Sequence, residues 1–203
     1  LGALEKRLAN KNVTWETALK QNYGIDMHFL GNRLKLAVDY FRENRKDIII
    51  NRKTVPLISG LTADIMPAVN MGKVKNQGYE IEVKWDDKIG EWGYNINANM
   101  SYSKNKIVFQ DEVEPNEPYM WATGRPVGSI IGYVADGFYQ ETDFDEQGNL
   151  LPGYANPNVA VKPGDVKYRD LNNDNVIDSD DQTMIGHSNR PAYTFGLNYG
   201  INY

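Results

Sequence analysis

The chain has 203 residues, a net charge of −5, 41% hydrophobic residues and no cysteine. The charge is too mild for a nucleic-acid partner, disulfides and cysteine-ligated zinc are excluded, and no apolar run approaches the ~18–20 residues of a transmembrane helix. The opening Leu1-Gly2-Ala3-Leu4 has neither an initiator Met nor a signal peptide, so the sequence reads as mature, trimmed or a fragment.

Residues 1–16 are polar and read as irregular or extended. A period-two pattern then begins over 18–29, with Leu19, Tyr23, Ile25, Met27 and Phe29 on one face and Lys20, Asn22, Asp26 and His28 on the other. Gly31-Asn32 marks a tight turn into a second strand over 33–41, where Leu34, Leu36, Val38 and Tyr40 oppose Arg33, Lys35 and Asp39. A polar connection follows over 42–76, holding Ile48-Ile49-Ile50, Pro56, Gly60 and Pro67. Such a length is unusual inside a compact soluble domain. The strand at 79–86 alternates Tyr79, Ile81, Val83 and Trp85 with Glu80, Glu82 and Lys84, and a short turn leads into 92–103.

That fourth strand carries the clearest pattern. Trp92, Tyr94, Ile96, Ala98, Met100 and Tyr102 face one way, and Gly93, Asn95, Asn97, Asn99, Ser101 and Ser103 face the other. About ten alternating residues with aromatic ends is what a membrane-spanning β-strand requires. A still longer connection, 104–191, precedes a last alternating strand over 193–203, whose apolar face is Tyr193, Phe195, Leu197, Tyr199, Ile201 and Tyr203. That strand has no successor to pair with, which reads as a missing later strand.

Connections alternate short and long, as in outer-membrane barrels with short periplasmic turns and long extracellular loops. The expected fold is therefore all-β, an antiparallel transmembrane β-barrel segment with long extracellular loops. The alternative is a soluble antiparallel sheet with one wet face. In the membrane reading the apolar face meets lipid, because a charge at the bilayer midplane costs about 2–4 kcal/mol. Lys20, Asp26, Arg33, Lys35, Asp39, Glu80, Glu82 and Lys84 then point into the lumen, and the Ser103 end of the fourth strand is extracellular.

The acidic residues cluster late in the chain, and one stretch there has specific site chemistry. In the loop 170–181, side-chain oxygens fall at positions one, three, five, nine and twelve: Asp170, Asn172, Asp174, Asp178 and Asp181. Val176 at position seven offers its carbonyl, which completes EF-hand spacing for calcium, a hard cation that takes six to eight oxygens. Ile177 pins the loop to the fold. Position six is Asn175 where glycine is usual, and asparagine is the next best residue for a left-handed backbone. Position twelve is Asp181 rather than Glu, a shorter arm. The competing reading is a solvated acidic turn without an ion.

Other candidates are weaker. His28 and His187 stand apart with no metal-type spacing, and Gly124, Gly128, Gly132 and Gly137 lack the context of a phosphate loop. Asp143 and Asp145 form a nominal glycosidase pair, and Tyr119, Trp121, Tyr133, Phe138 and Tyr139 are able either to stack on sugars or to pack their own loop. No Ser–His–Asp constellation is present, and the chain is read as not an enzyme.

Four segments resemble a known family: 12–17 (Asn-Val-Thr-Trp-Glu-Thr), 70–80 (from Asn70 to Glu80), Gly124-Arg125-Pro126-Val127-Gly128-Ser129 through Gly132-Tyr133 to Asp136-Gly137, and Pro163-Gly164-Asp165-Val166-Lys167-Tyr168 running into the acidic loop and Ile185-Gly186. Together they are similar to the C-terminal half of the barrel in SusC/RagA-type TonB-linked outer-membrane transporters of Bacteroidota. The resemblance implies a 22-stranded barrel whose N-terminal plug is absent here. It implies import of glycans or peptides, a SusD-like surface lipoprotein as lid, energy from the TonB system through the missing N-terminal part, and contact with outer-membrane lipid. The family's acidic loop commonly carries Gly where this chain has Asn173 and Asn175. Two other readings remain beside it: a secreted calcium-loop module of dockerin type, for which only one of two loops is present, and a carbohydrate-active enzyme using loop carboxylates.

Overall fold

A computed structural model describes residues 9–55, 58 and 65–203. The opening Leu1–Leu4, Pro56 and Gly60 lie outside the described residues. Nine strands are present among the described residues: β1 (Thr17–Phe29), β2 (Leu34–Ile50), β3 (Val69–Ile89), β4 (Trp92–Phe109), β5 (Ile131–Tyr133), β6 (Ala135–Phe138), β7 (Val166–Tyr168), β8 (Gln182–Met184) and β9 (Tyr193–Asn202). The chain divides into two compact units. One comprises Leu1–Val113, Thr123–Val127 and Arg190–Tyr203, and the other Glu114–Ala122 and Gly128–Asn189.

The first unit is a five-stranded antiparallel sheet in the order β1-β2-β3-β4-β9. Its strands outrun the apolar alternation. β2 continues to Ile50 and β3 starts at Val69, so much of the connection expected at 42–76 is ladder, with Ile49 opposite Asn70 and Ile50 opposite Val69. Backbone pairing does not need apolar side chains, so the polar run 42–45 and its partners 74–77 extend the sheet without a hydrophobic signal. Asp47, with φ +59, marks a bulge between Arg45 and Ile48. The turn expected over 86–91 is tighter: Ile89 pairs with Trp92, leaving Gly90-Glu91, with Gly90 at φ +63.

One expectation is corrected here. The sheet is not closed into a barrel, so the reading as a segment of a closed 22-stranded transmembrane barrel does not describe this fold. β1 and β9 are the two ends of the sheet and do not pair with each other, and the remaining strands form separate two-stranded sheets, β5–β8 and β6–β7. Alternation specifies the two faces of each strand, whereas closure needs a further edge-to-edge ladder, strand tilt and stagger, none of which period two encodes. Among the described residues no helix is long and apolar enough to cross a membrane.

Register aligns the apolar sides of the five strands into a single face. Ile25, Val38, Ile81, Met100 and Phe195 form one cross-strand row, and Met27, Leu36, Val83, Ala98 and Leu197 the next. Phe29, Leu34, Trp85, Ile96 and Tyr199 follow. On the other side of these rows, Tyr23, Tyr40, Tyr79, Tyr102 and Tyr193 stand in register, with ring centroids 5.3 Å apart for Tyr79–Tyr102 and 4.7 Å for Tyr102–Tyr193. Among the described residues this face has no cover within the unit. Phe195 is 84% and Tyr199 79% exposed, and the only hydrophobic residues buried among those described, Tyr139 and Ile177, belong to the second unit.

The second unit is held by its two small sheets and by side-chain packing. Buried Tyr139 meets Phe144 and Tyr154 edge-on, and its backbone is tied to Gly164 and Asp165. A parallel bridge joins Asn156 to Val176, using the Asn175 carbonyl and the Ile177 amide.

Candidate functional site

Two features bear on function: the uncovered apolar face and the acidic loop. In water an uncovered face is costly, since each large apolar side chain left wet forgoes about 1.5–3 kcal/mol of burial. Monomeric soluble proteins rarely expose contiguous apolar patches larger than a few hundred Å². The tyrosine row bounds the apolar rows on one side, while Trp92, against Tyr203 at 4.7 Å, stands at the far end. Aromatic residues flanking an apolar band occupy the positions where a polar tip meets the headgroup layer. The opposite face of the sheet is polar. There Asp39, Glu80, Glu82, Asn99, Ser101 and Thr194 line a shallow concavity of ≈ 330 Å³.

The acidic loop folds through its own side chains. Asp170 accepts from the amides of Asn173 at 2.6 Å and Asn175 at 2.8 Å, one carboxylate oxygen to each. Asn173 and Asn175 both take left-handed backbone, with φ +62 and +65, so asparagine does at position six what the sequence reading asked of it. Asn172 accepts from Asp174 N, Asp174 from Val176 N, and Asp178 from Asp180 N. Asn172 Nδ2 also donates to Asp174, at 2.9 Å. Ile177 is buried beneath the loop.

Asp181 behaves differently from the others. It is fully buried, at 0% exposure, and its two oxygens accept from Leu171 N at 2.6 Å and Asp178 N at 3.0 Å. It therefore closes the loop by joining its beginning to its end. The all-oxygen donors and the turn geometry of positions one to six suit calcium. The carboxylates are not gathered, however: among the described residues no group of three or more His, Cys, Asp or Glu side chains stands together in a way that could hold a metal ion. Val176 offers only its carbonyl, which the bridge to Asn156 leaves unused.

The nominal glycosidase pair is turn chemistry. Asp143 accepts from Gln140 N at 2.9 Å and Tyr154 Oη at 2.6 Å, and Asp145 accepts from the amides of Gln147 and Asn149. The Gln140 amide foremost holds Asp143 below the ordinary carboxylate range, and the Asn149 amide does the same for Asp145. A glycosidase acid needs the opposite shift. Of the loop aromatics, Tyr133 packs on Tyr168 and Tyr139 within its cluster, while Tyr119 donates to the Asp180 carbonyl at 2.6 Å. His28 pairs with Asn32 through Nδ1.

One structural anchor was not legible in advance. Asp111 is buried and accepts from Lys53 N at 2.7 Å, Thr54 N at 3.1 Å and the Thr54 hydroxyl. Burial alone raises its pKa, but these bonds outweigh it and the net direction is down. In sequence it is one acid in the run Asp111-Glu112-Val113-Glu114, with nothing to set it apart.

An open antiparallel sheet with an uncovered aromatic-edged face and a self-bonded acidic loop defines an all-β protein. The family model described as "TonB dependent receptor-like, beta-barrel" matches residues 2–203, and the chain belongs to the TonB-dependent receptor family. Among curated proteins it is similar to TonB-dependent receptor P3 of Formosa agariphila, 28% identical with 100% of this chain and 20% of the relative covered. TonB-dependent receptor P39 of the same organism is 25% identical, with 89% and 20% covered. The chain thus spans about a fifth of the length of these relatives, 20% in each case. Among solved structures, the RagAB peptide importer in the "open-open" state superposes with a TM-score of 0.65 at 23% identity, covering 96% of this chain and 20% of the other. The "closed-closed" state gives 0.62 at 22%, with 96% and 20% covered. At that identity the likeness is one of fold. Family membership places the chain in the outer membrane of a Gram-negative bacterium, among receptors rather than enzymes.

Proposed function

We propose that this chain is the sheet-and-loop portion of a TonB-dependent outer-membrane importer for oligosaccharides or peptides, working with a SusD-like surface lipoprotein. In this reading the apolar face meets lipid and the polar face lies along the substrate path. The observation that carries it is the in-register apolar face bounded by five tyrosines, with a polar, acid-bearing face behind it. The solved structures described as a peptide importer favour peptides as one substrate class, and the family resemblance keeps oligosaccharides as the other. The test is uptake by cells that depend on the intact gene product. Deleting the gene or removing TonB should abolish growth on a defined oligosaccharide or peptide source, and affinity capture should retain a surface lipoprotein. Uptake that survives loss of TonB would sink the reading.

The loop 170–181 is proposed to take calcium through Asp170, Asn172, Asp174, Asp178 and the Val176 carbonyl. Oxygen-only donors at EF-hand spacing and the left-handed asparagines support this. The ion would cross-link the loop. Calorimetric titration of the full chain should show calcium binding that Asp170→Ala removes. No binding heat, or heat unchanged in the variant, would withdraw the claim.

A further inference from the structure

We infer that the sheet carries a binding surface for the phosphate of lipid headgroups, immediately beyond the tyrosine row. The surface lies on the same face as the apolar rows. One step past the tyrosines, toward the Ile50 end of β2, the cross-strand row is Gln21, Arg42, Gln77 and Lys104. The next row is Leu19, Asn44, Lys75 and Lys106. These two rows hold four cations, Arg42, Lys75, Lys104 and Lys106, and no carboxylate. All four are exposed, and none forms a salt bridge among the described residues.

The pairing itself asks for an anion. Lys75 and Lys106 are directly opposite each other in the β3–β4 ladder. Like charges directly opposite on one face are destabilising. Elsewhere on the sheet, cations close to carboxylates are paired: Arg33 with Asp87, Arg45 with Glu16 and Glu43, Lys84 with Glu82. Among the described residues no such partner is supplied at the Lys75–Lys106 pair, and an external anion relieves the repulsion.

Position decides which anion. Successive rows are two residues, or roughly 7 Å, apart along a strand, so the cations stand within about 7–14 Å of the tyrosine rings. Tyrosines flanking an apolar band sit at headgroup level, and lysine and arginine there extend along the apolar surface to place their charge among headgroups. The charged rows are continuous with that band, which favours phosphate carried by lipid over phosphate in solution. The overall charge of −5 argues against a nucleic-acid phosphate.

This inference rests on the proposal that the apolar face meets lipid, and the test separates the two. Partitioning of the full chain is measured into phosphatidylcholine vesicles with and without phosphatidylglycerol. The wild-type chain should bind both and prefer the vesicles with phosphatidylglycerol. Each cation near an anionic surface is worth roughly fivefold in partitioning, so Lys75→Gln with Lys106→Gln should reduce the preference by about 30-fold. Binding to phosphatidylcholine alone should not change. Lys75→Glu places a carboxylate opposite Lys106, changes the surface charge by the same amount and should reduce the preference by about the same factor while strengthening the ladder, which keeps the test independent of misfolding. A preference undiminished in both variants overturns the inference. So does equal competition by inorganic phosphate, which would make this a site for the free ion. Failure of the wild-type chain to bind phosphatidylcholine at all would overturn the lipid-facing proposal together with this one.

Discussion

Asp181→Ala is expected to destabilise the second unit by about 3 kcal/mol, with or without calcium, because it leaves the part-buried amides of Leu171 and Asp178 without the fully buried acceptor they share. Each hydrogen bond to a charged group contributes roughly 1.5–3 kcal/mol, and water cannot readily replace an acceptor at this depth. Protection of these two amides from hydrogen exchange should fall by about a hundredfold. Asp170→Ala is the contrast. Its bonds to Asn173 and Asn175 lie at the exposed side of the loop, where solvent substitutes for the lost acceptor. That change should alter calcium binding and leave the Leu171 and Asp178 amides protected. Unchanged exchange in Asp181→Ala, or an effect seen only when calcium is present, would mean that Asp181 serves as a ligand rather than as the strut that closes the loop.

Gly78→Ala should have a comparable effect on the first unit. Gly78 lies in β3 between Phe41 of β2 and Ser103 of β4. A Cβ there would come 1.9 Å from the Tyr102 carbonyl oxygen and 2.6 Å from Phe41 Cζ. An aromatic ring can turn aside, but the carbonyl belongs to the β4 backbone and moves only if the β3–β4 ladder opens locally. The expected cost is about 3 kcal/mol, the upper part of the range for overpacking. The readout is faster exchange of the amides around Gly78 and Ser103 and a lower yield of folded chain. Adding Phe41→Ala should not rescue the variant, because the backbone contact is the tighter one. Full rescue would identify the ring as the obstacle, and wild-type behaviour of Gly78→Ala would show that the two strands separate at little cost.

Much of the sheet was legible because alternation is a local property. Tyr79, Ile81, Val83 and Trp85 announce a strand and its apolar side wherever the strand ends up. The strand ends were less legible, since Arg42–Arg45 and Val74–Gln77 pair through backbone groups with no hydrophobic pattern to mark them. The loop was legible in its turn chemistry, with Asn175 left-handed as its position required. It was not legible in the division of labour among its acids. Asp170 and Asp181 are equivalent by spacing, yet one lies at the loop's exposed side and the other is completely buried. Which amides a carboxylate meets depends on where the loop closes.

The sequence by itself determined the two faces of each strand, the short turns between paired strands and, through four motifs, the family. The reason is that side-chain alternation and turn preference follow from backbone dihedrals of neighbouring residues. Only the tertiary structure decided that the sheet stays open from β1 to β9, that five tyrosines stand in one row and that Lys75 faces Lys106. Those are facts of register. Register depends on ladders between segments far apart in the chain, as when Tyr102 meets Tyr193, and a one-residue slip would leave every strand pattern intact while dispersing both the tyrosine row and the charged rows.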